Sequence, residues 1–303
     1  MCQTDKRYQE DEMITVMGAT GHTGKRIVEE LLKAGERVRA LGRSAERLEA
    51  LEKAGAEVRV GEPHDAAYLA EAFRGADAVY TLLPYDPSVA NYMAQQATVG
   101  EAIVRAVRAS GVRRVVAISS VGADLASGNG PIASMHEQEL RLRALSGVDL
   151  LILRAGAFFE NLLPAFWMIE QHGLVADGVG AEVPVPMIAS KDIADAAIAA
   201  LFSRDWHGTQ VRELLGQRDL SYGEATRILG EHLGRPDLPY VQLPYDEMAG
   251  MLVDAGFSAN LAGLYAELAE GINDRRVKSL EGRNPGNTTA TSFEAFVAEV
   301  VGN

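Results

Sequence analysis

Apolar positions in this chain fall into short runs that alternate with helical stripes. Met13 to Met17 is apolar except for Thr15, too short for a helix and ended by Gly18. Ile27, Val28, Leu31 and Leu32 then recur at helical spacing until Gly35. The alternation continues with strands at Arg37 to Leu41, Glu57 to Val60, Ala76 to Leu83, Arg113 to Ser120 and Asp149 to Leu153. Between them lie helices at Ala45 to Ala54, Ala66 to Phe73 (capped by Asp65), Val89 to Ser110 and Ser134 to Leu145. Strands and helices at this pitch predict an α/β fold, a doubly wound parallel sheet of the Rossmann type over residues 13–160.

Past Asn161 the rhythm changes. Residues 161–303 read as a smaller, mostly helical region that roofs the ligand cleft, with 187–215 packing back on the sheet. Leu162 to Gln171 is an apolar helix. Val183 to Ile188 contains Pro184 and Pro186, which excludes a central strand. Ser190 is placed to cap a helix running to Leu201, and Val211 to Leu215 reads as a strand. Helices follow at Ser221 to Leu233, within Tyr245 to Ile272, and at Ser292 to Val301, with a turn at Asn284 to Asn287.

Composition narrows the picture. The 303 residues are 47% hydrophobic, enough for a large core. No apolar run approaches the roughly 20 residues a bilayer demands. Residues 1–12 are polar, without a secretory pattern, and are expected to be loosely ordered. The single cysteine, Cys2, rules out a disulfide framework and predicts a reducing cytoplasm. The net charge of −13 opposes nucleic acid and anionic membranes as partners.

The chemistry gathers where the first strand meets the first helix. Gly18, Gly21 and Gly24 stand three apart at that turn. Such glycines permit a tight turn, close approach of a phosphate and close packing of the helix on the strand. The helix N-terminus then offers free N–H groups and a positive dipole end to a diphosphate. The turn residues Gly18, Thr20, Gly21, His22, Thr23 and Gly24 are therefore the expected dinucleotide cradle. A P-loop fails on spacing, because Ala19 and Arg26 stand where it needs Gly and Ser or Thr.

The end of the second strand selects the nucleotide. An acid there binds a ribose 2′-hydroxyl, but residues 41–44 hold none. Arg43 stands 19 residues past Gly24, and a guanidinium there grips a 2′-phosphate, so NADP(H) is expected over NAD(H). Ligands of open α/β sheets lie beyond the carboxyl ends of the strands, which puts Leu83, Pro84 and Tyr85 beside the cofactor and Ser119 at the same edge.

These residues resemble the NmrA-like branch of the atypical short-chain dehydrogenase/reductases. The matching segments are Gly18 to Gly24, Arg43, Ser119 to Ala123, Gly130 to His136 with Glu139, Leu153 to Asn161, Ser190 to Asp195 and Ser292 to Glu294. The resemblance implies NADP(H) at the glycine turn and Arg43. It implies His136 beside the nicotinamide, where some relatives carry Lys, and Phe159 to Asn161 against the nicotinamide and a substrate, with Phe159 and Asn161 as contacts. It also implies a choice of roles. Some relatives are NADPH-dependent quinone, azo-dye or triphenylmethane reductases, and others are redox sensors.

One departure matters. No tyrosine has Lys four residues on, so the Tyr–Lys general acid of ordinary short-chain dehydrogenases is absent. Hydride transfer to a quinone needs less proton help than alcohol–ketone chemistry. The expected activity is therefore NADPH-dependent reduction of a small electron-poor acceptor, with His136 as candidate catalytic residue and Tyr85, Phe159 and Asn161 as substrate contacts. The alternative is an NADP(H) sensor that binds a protein partner. His136 has a plainer reading as a helix residue paired with Glu139 one turn away. No metal site is expected.

Overall fold

The computed structural model describes residues 12–302; the expected loose tail and Cys2 lie outside them, apart from Glu12. The chain runs β1 (Met13–Val16), α1 (His22–Lys33), β2 (Arg37–Gly42), α2 (Ala45–Lys53), β3 (Glu57–Val60), α3 (Ala66–Phe73), β4 (Ala78–Thr81), α4 (Tyr92–Ser110) and β5 (Arg114–Ser120). It continues α5 (Ala133–Arg143), β6 (Asp149–Ala155), β7 (Ala157–Phe158), α6 (Pro164–His172), β8 (Val175–Asp177), β9 (Val185–Ile188), α7 (Ser190–Ser203) and β10 (Thr209–Leu214). It closes with β11 (Asp219–Leu220), α8 (Tyr222–His232), β12 (Tyr240–Gln242), α9 (Tyr245–Asp254), α10 (Ala259–Asn273) and α11 (Phe293–Val301).

Seven strands form one parallel sheet in the order β10-β6-β5-β4-β1-β2-β3. Strand order reverses between β1 and β4, so the loops leaving these two strands diverge and open a crevice. Both strands are buried along their whole length, which is why they read as apolar runs without alternation. Ile27, Val28 and Leu31 of α1 pack on one face of the sheet, together with Leu48 of α2 and Ala197 and Leu201 of α7. Leu69 and Phe73 of α3, Ile103 of α4 and Leu142 of α5 cover the other. The doubly wound sheet is thus as expected, and β10 and α7 complete it from the later part of the chain.

A separate apolar cluster joins α6, α8, α9, α10 and α11 around Phe159, Phe293 and Phe296. Helix α10 is the bridge to the sheet. It packs on the loop after β5, where Gly130 lies so close that an added Cβ would fall 2.0 Å from the Leu264 carbonyl oxygen. At its N-terminus Asn260 accepts from the Tyr92 N–H at 2.9 Å, and Ser258 N–H donates to the Pro87 carbonyl at 2.8 Å. The loop after β4 is therefore tied to the helical region.

Three local expectations change. Val185–Ile188 is the middle strand of a three-stranded sheet, in spite of Pro186. Its two neighbours use successive halves: Val185 and Pro186 face β11, whereas Met187 and Ile188 face β7. Proline is accepted because no position has to serve both sides. Ser190 is the first helical residue of α7 and not its cap; its hydroxyl donates to Glu160 at 2.5 Å. Helix α4 begins at Tyr92, later than periodicity suggested, because Asn91 caps it through the Ala94 N–H.

Candidate functional site

The glycine turn behaves as its sequence implies. Gly18 takes φ of 63°, in the left-handed region that favours glycine. A Cβ on Gly24 would stand 2.2 Å from the Gly18 carbonyl oxygen, so the first turn of α1 closes on the strand exit only with glycine there. A Cβ on Gly21 meets only the Gly18 oxygen, at 3.3 Å, and its exposed backbone opens outward. The side-chain caps seen on α2, α3 and α4 are missing at α1, where Gly21 is the cap residue. The N-terminal amides of α1 are thereby left to an external acceptor.

A cleft of about 220 Å³ opens at this turn. Its floor is Met17, Gly18, Leu41 and Leu82, and its walls are Arg43, Arg47, Tyr68, Pro84 and Tyr85. Thr20 and Gly21 also line it. A dinucleotide fits these features: an open amide-rich turn, apolar sides and two guanidinium groups at one end.

Arg47 is the residue that sequence reasoning missed. It sits in the first turn of α2, four residues after Arg43, and donates to the Thr20 carbonyl at 3.2 Å. The usable signal was a second arginine in the helix that opens at the end of β2, directly after the Ser44 cap. Arg43 is exposed on the rim, and its charge reaches Asp86 across the mouth, helping the Ser88 hydrogen bonds hold that carboxyl below its ordinary range.

The other turn residues divide by direction. His22 is exposed, whereas Thr23 is buried and its hydroxyl is engaged with the Tyr80 hydroxyl at 3.0 Å. Burial pushes Tyr80 up to about 12. After β4 the alternation of side chains points Leu82 into the cleft and Leu83 into the core beneath α3 and α4. The Pro84 carbonyl accepts from the side chain of Gln96, itself buried, which fixes the loop from below. Tyr85 stands half-exposed, its hydroxyl accepting from Tyr265 of α10 at 3.3 Å.

Ser119 ends in the interior. Its hydroxyl donates to Glu139 at 2.7 Å, and the same carboxylate takes both forks of Arg154 at 2.8 and 2.7 Å. The plainer reading of His136 as the partner of Glu139 is not met, because stronger charge-assisted partners occupy the carboxylate. His136 instead places Nδ1 2.9 Å from the Ala123 carbonyl oxygen. A carbonyl only accepts, so Nδ1 carries the proton and Nε2 of the neutral ring is an acceptor. Phe159 is a core residue wedged against Phe293 and Phe296, while Asn161 is exposed on the turn before α6. Among the described residues no group of three or more His, Cys, Asp or Glu side chains is placed to hold a metal, and no helix is long and apolar enough to cross a membrane.

The geometry has close parallels among known proteins. Residues 18–204 match the NAD(P)H-binding family. Quinone oxidoreductase 2 of Escherichia coli is 27% identical over 270 residues, 84% of this chain and 90% of that one. Among solved structures, the NADPH complex of the E. coli quinone oxidoreductase QOR2 superposes with a TM-score of 0.78 at 24% identity, covering 95% of this chain and 99% of that one. A mutant NmrA superposes with a TM-score of 0.68 at 18% identity, covering 96% and 91%. With its glycine turn at the strand-order reversal and the match spanning most of the sheet, the chain belongs to the NAD(P)H-binding family and shares the fold of NmrA.

Proposed function

We propose that this protein is an NADPH-dependent reductase of a small electron-poor acceptor such as a quinone. The observation that carries the reading is the pair Arg43 and Arg47 on one end of the cleft, with the uncapped turn of α1 at its floor. Two guanidinium groups suit a 2′-phosphate in charge and in geometry, and no acid at the end of β2 competes for a ribose hydroxyl. The likeness to quinone oxidoreductase 2 along 84% of the chain supports the acceptor class.

When bound, the nicotinamide supplies hydride. The residues of this chain do the rest. The amides of the first turn of α1 hold the diphosphate, while the Gly21 N–H is kept by the Gly18 carbonyl at 2.9 Å. Arg43 and Arg47 hold the 2′-phosphate. His136, with Nδ1 fixed by Ala123, presents Nε2 as an acceptor for the carboxamide N–H and so orients the ring. Pro84 and Tyr85 wall the crevice, and Tyr265 of α10 donates to the Tyr85 hydroxyl.

The test is purified protein with NADPH and a panel of quinones, read against NADH. Turnover well above the blank, with NADPH preferred, is the expected result. Tight NADPH uptake with no turnover on any acceptor would replace the reductase with a sensor. No uptake of either nucleotide would end both.

A further inference from the structure

The loop that leaves β5 carries the acceptor for His136, yet residues 121–129 form no helix or strand of their own. The Leu125 N–H donates to the Gly122 carbonyl at 3.2 Å, closing a turn in which Ala123 is the second residue. The Ala123 carbonyl takes no part in that closing bond and instead meets Nδ1 of His136 at 2.9 Å. The direction of one peptide group in an irregular loop therefore decides how the ring is held.

Asn129 fastens that turn from inside. Its side chain is fully buried. Its amide nitrogen donates to the Gly122 carbonyl and to the Leu125 carbonyl, both at 2.9 Å. These are the first and last residues of the turn. A flipped amide would set oxygen against two carbonyls, so the acceptors fix its orientation. The backbone of Asn129 serves the other side: its carbonyl accepts from the Ile132 N–H at 3.2 Å, where the chain turns into α5. One residue thus joins the turn that aims Ala123 to the start of the helix that carries His136. Helix α10 steadies the same segment from outside, since Glu267 accepts from the Gly128 N–H at 2.7 Å.

Burying an amide costs desolvation that an apolar side chain of similar size avoids. Leucine would fill much the same space. What only the amide supplies is donation to both ends of the turn.

We propose that Asn129 is a positioning residue for hydride transfer: by tying the ends of the 122–125 turn it aims the Ala123 carbonyl, and this keeps the neutral His136 ring protonated on Nδ1 with Nε2 left to accept. The inference rests on the reductase reading, in which Nε2 meets the cofactor carboxamide. A free neutral imidazole favours its proton on Nε2, so the opposite tautomer has to be held by its acceptor. Without the amide bridge the Ala123 peptide is free to turn and the ring reverts. Nε2 then becomes a donor and cannot take the carboxamide N–H.

The test is read on the whole protein with isotope-labelled histidine, in long-range proton–nitrogen spectra at a pH where the rings are neutral. His136→Gln identifies the resonance. Wild type is expected to carry the His136 proton on Nδ1. Asn129→Leu keeps the volume and Asn129→Ala removes the group outright. Both should move the proton to Nε2, lower menadione turnover about tenfold and hold NADPH affinity within about threefold. On a His136→Ala background, Asn129→Leu should cost less than about twofold more. A wild-type ring protonated on Nε2 overturns the proposal without any variant. A folded Asn129 variant that keeps both the Nδ1 proton and the turnover overturns it too. So does an equal loss on the His136→Ala background, which would mean a general loosening of the loop. Should neither variant fold, hydrogen exchange of the Asn129 side-chain amide in wild type decides: protection supports the bridge and rapid exchange overturns it. A proton shift in Asn129→Leu, in a protein that turns over no acceptor, leaves Asn129 as the holder of His136 and removes the reductase.

Discussion

Arg154 meets Glu139 fork to fork inside the protein, Nε on one carboxylate oxygen at 2.8 Å and Nη2 on the other at 2.7 Å, with 8% and 4% of the two residues exposed. The pair links β6 to α5 and takes in Ser119 of β5, so it sets the carboxyl ends of two central strands against the helix that carries His136. Removing one partner of such a pair leaves a buried charge uncompensated. Glu139→Gln should cost about 3–5 kcal/mol in urea unfolding, whereas Arg143→Ala, on the exposed side of the same carboxylate, should cost under about 1 kcal/mol. Equal losses would show that the Arg154 contact adds nothing.

Arg43→Ala should weaken NADPH binding by about 10–100-fold, the worth of a charged hydrogen bond, and leave NADH nearly unchanged. Arg47→Ala should act in the same direction more weakly, because that guanidinium also serves the Thr20 carbonyl. Isothermal titration with both nucleotides measures this. Parallel losses for NADH would take the two arginines away from the 2′-phosphate.

Two glycines separate steric from conformational effects. Gly24→Ala places a Cβ 2.2 Å from the Gly18 oxygen, so α1 must shift. It should destabilise by about 1–3 kcal/mol and lower NADPH affinity at least tenfold. Gly250 lies within α9 with nothing within 4 Å of its would-be Cβ. Gly250→Ala should therefore stabilise by up to about 1 kcal/mol, visible as a raised Tm. A fall in Tm would contradict the open surroundings.

Asp177 gives stability a pH signature. Burial raises its carboxyl from the ordinary 3.8 to about 6. The folded state then binds the proton more tightly than the unfolded state between those values, so this residue's contribution is fully favourable below about pH 4 and is lost as pH rises through about 6. Asp177→Asn should match wild type near pH 4 and exceed it by on the order of 2 kcal/mol at pH 8. Thermal melts at the two pH values decide it; a constant difference would place the carboxyl in water.

His136→Gln retains a group able to donate to the Ala123 carbonyl, and His136→Ala does not. With NADPH in saturation, the alanine variant should lose about tenfold or more in turnover, and the glutamine variant should keep part of it. Rates unchanged in both would leave His136 as a helix residue alone.

Periodicity and glycine spacing determined most of the first half of this protein. The apolar runs Met13 to Met17 and Ala76 to Leu83, the cap Asp65, and the turn from Gly18 to Gly24 depend on backbone hydrogen bonds and sterics only a few residues long, and these are written locally. The doubly wound arrangement follows from their order. Contacts between distant segments were decided by the tertiary structure. It gave Glu139 to Arg154 and not to His136, turned Leu83 inward and Leu82 toward the ligand, and let Pro186 sit in a middle strand whose neighbours divide its length. It also brought Tyr85 to Tyr265, 180 positions apart, and buried the Asp177 carboxyl. Such pairings depend on which surfaces the packed sheet and helices bring together, and that is a property of the assembled core that no local window of sequence contains.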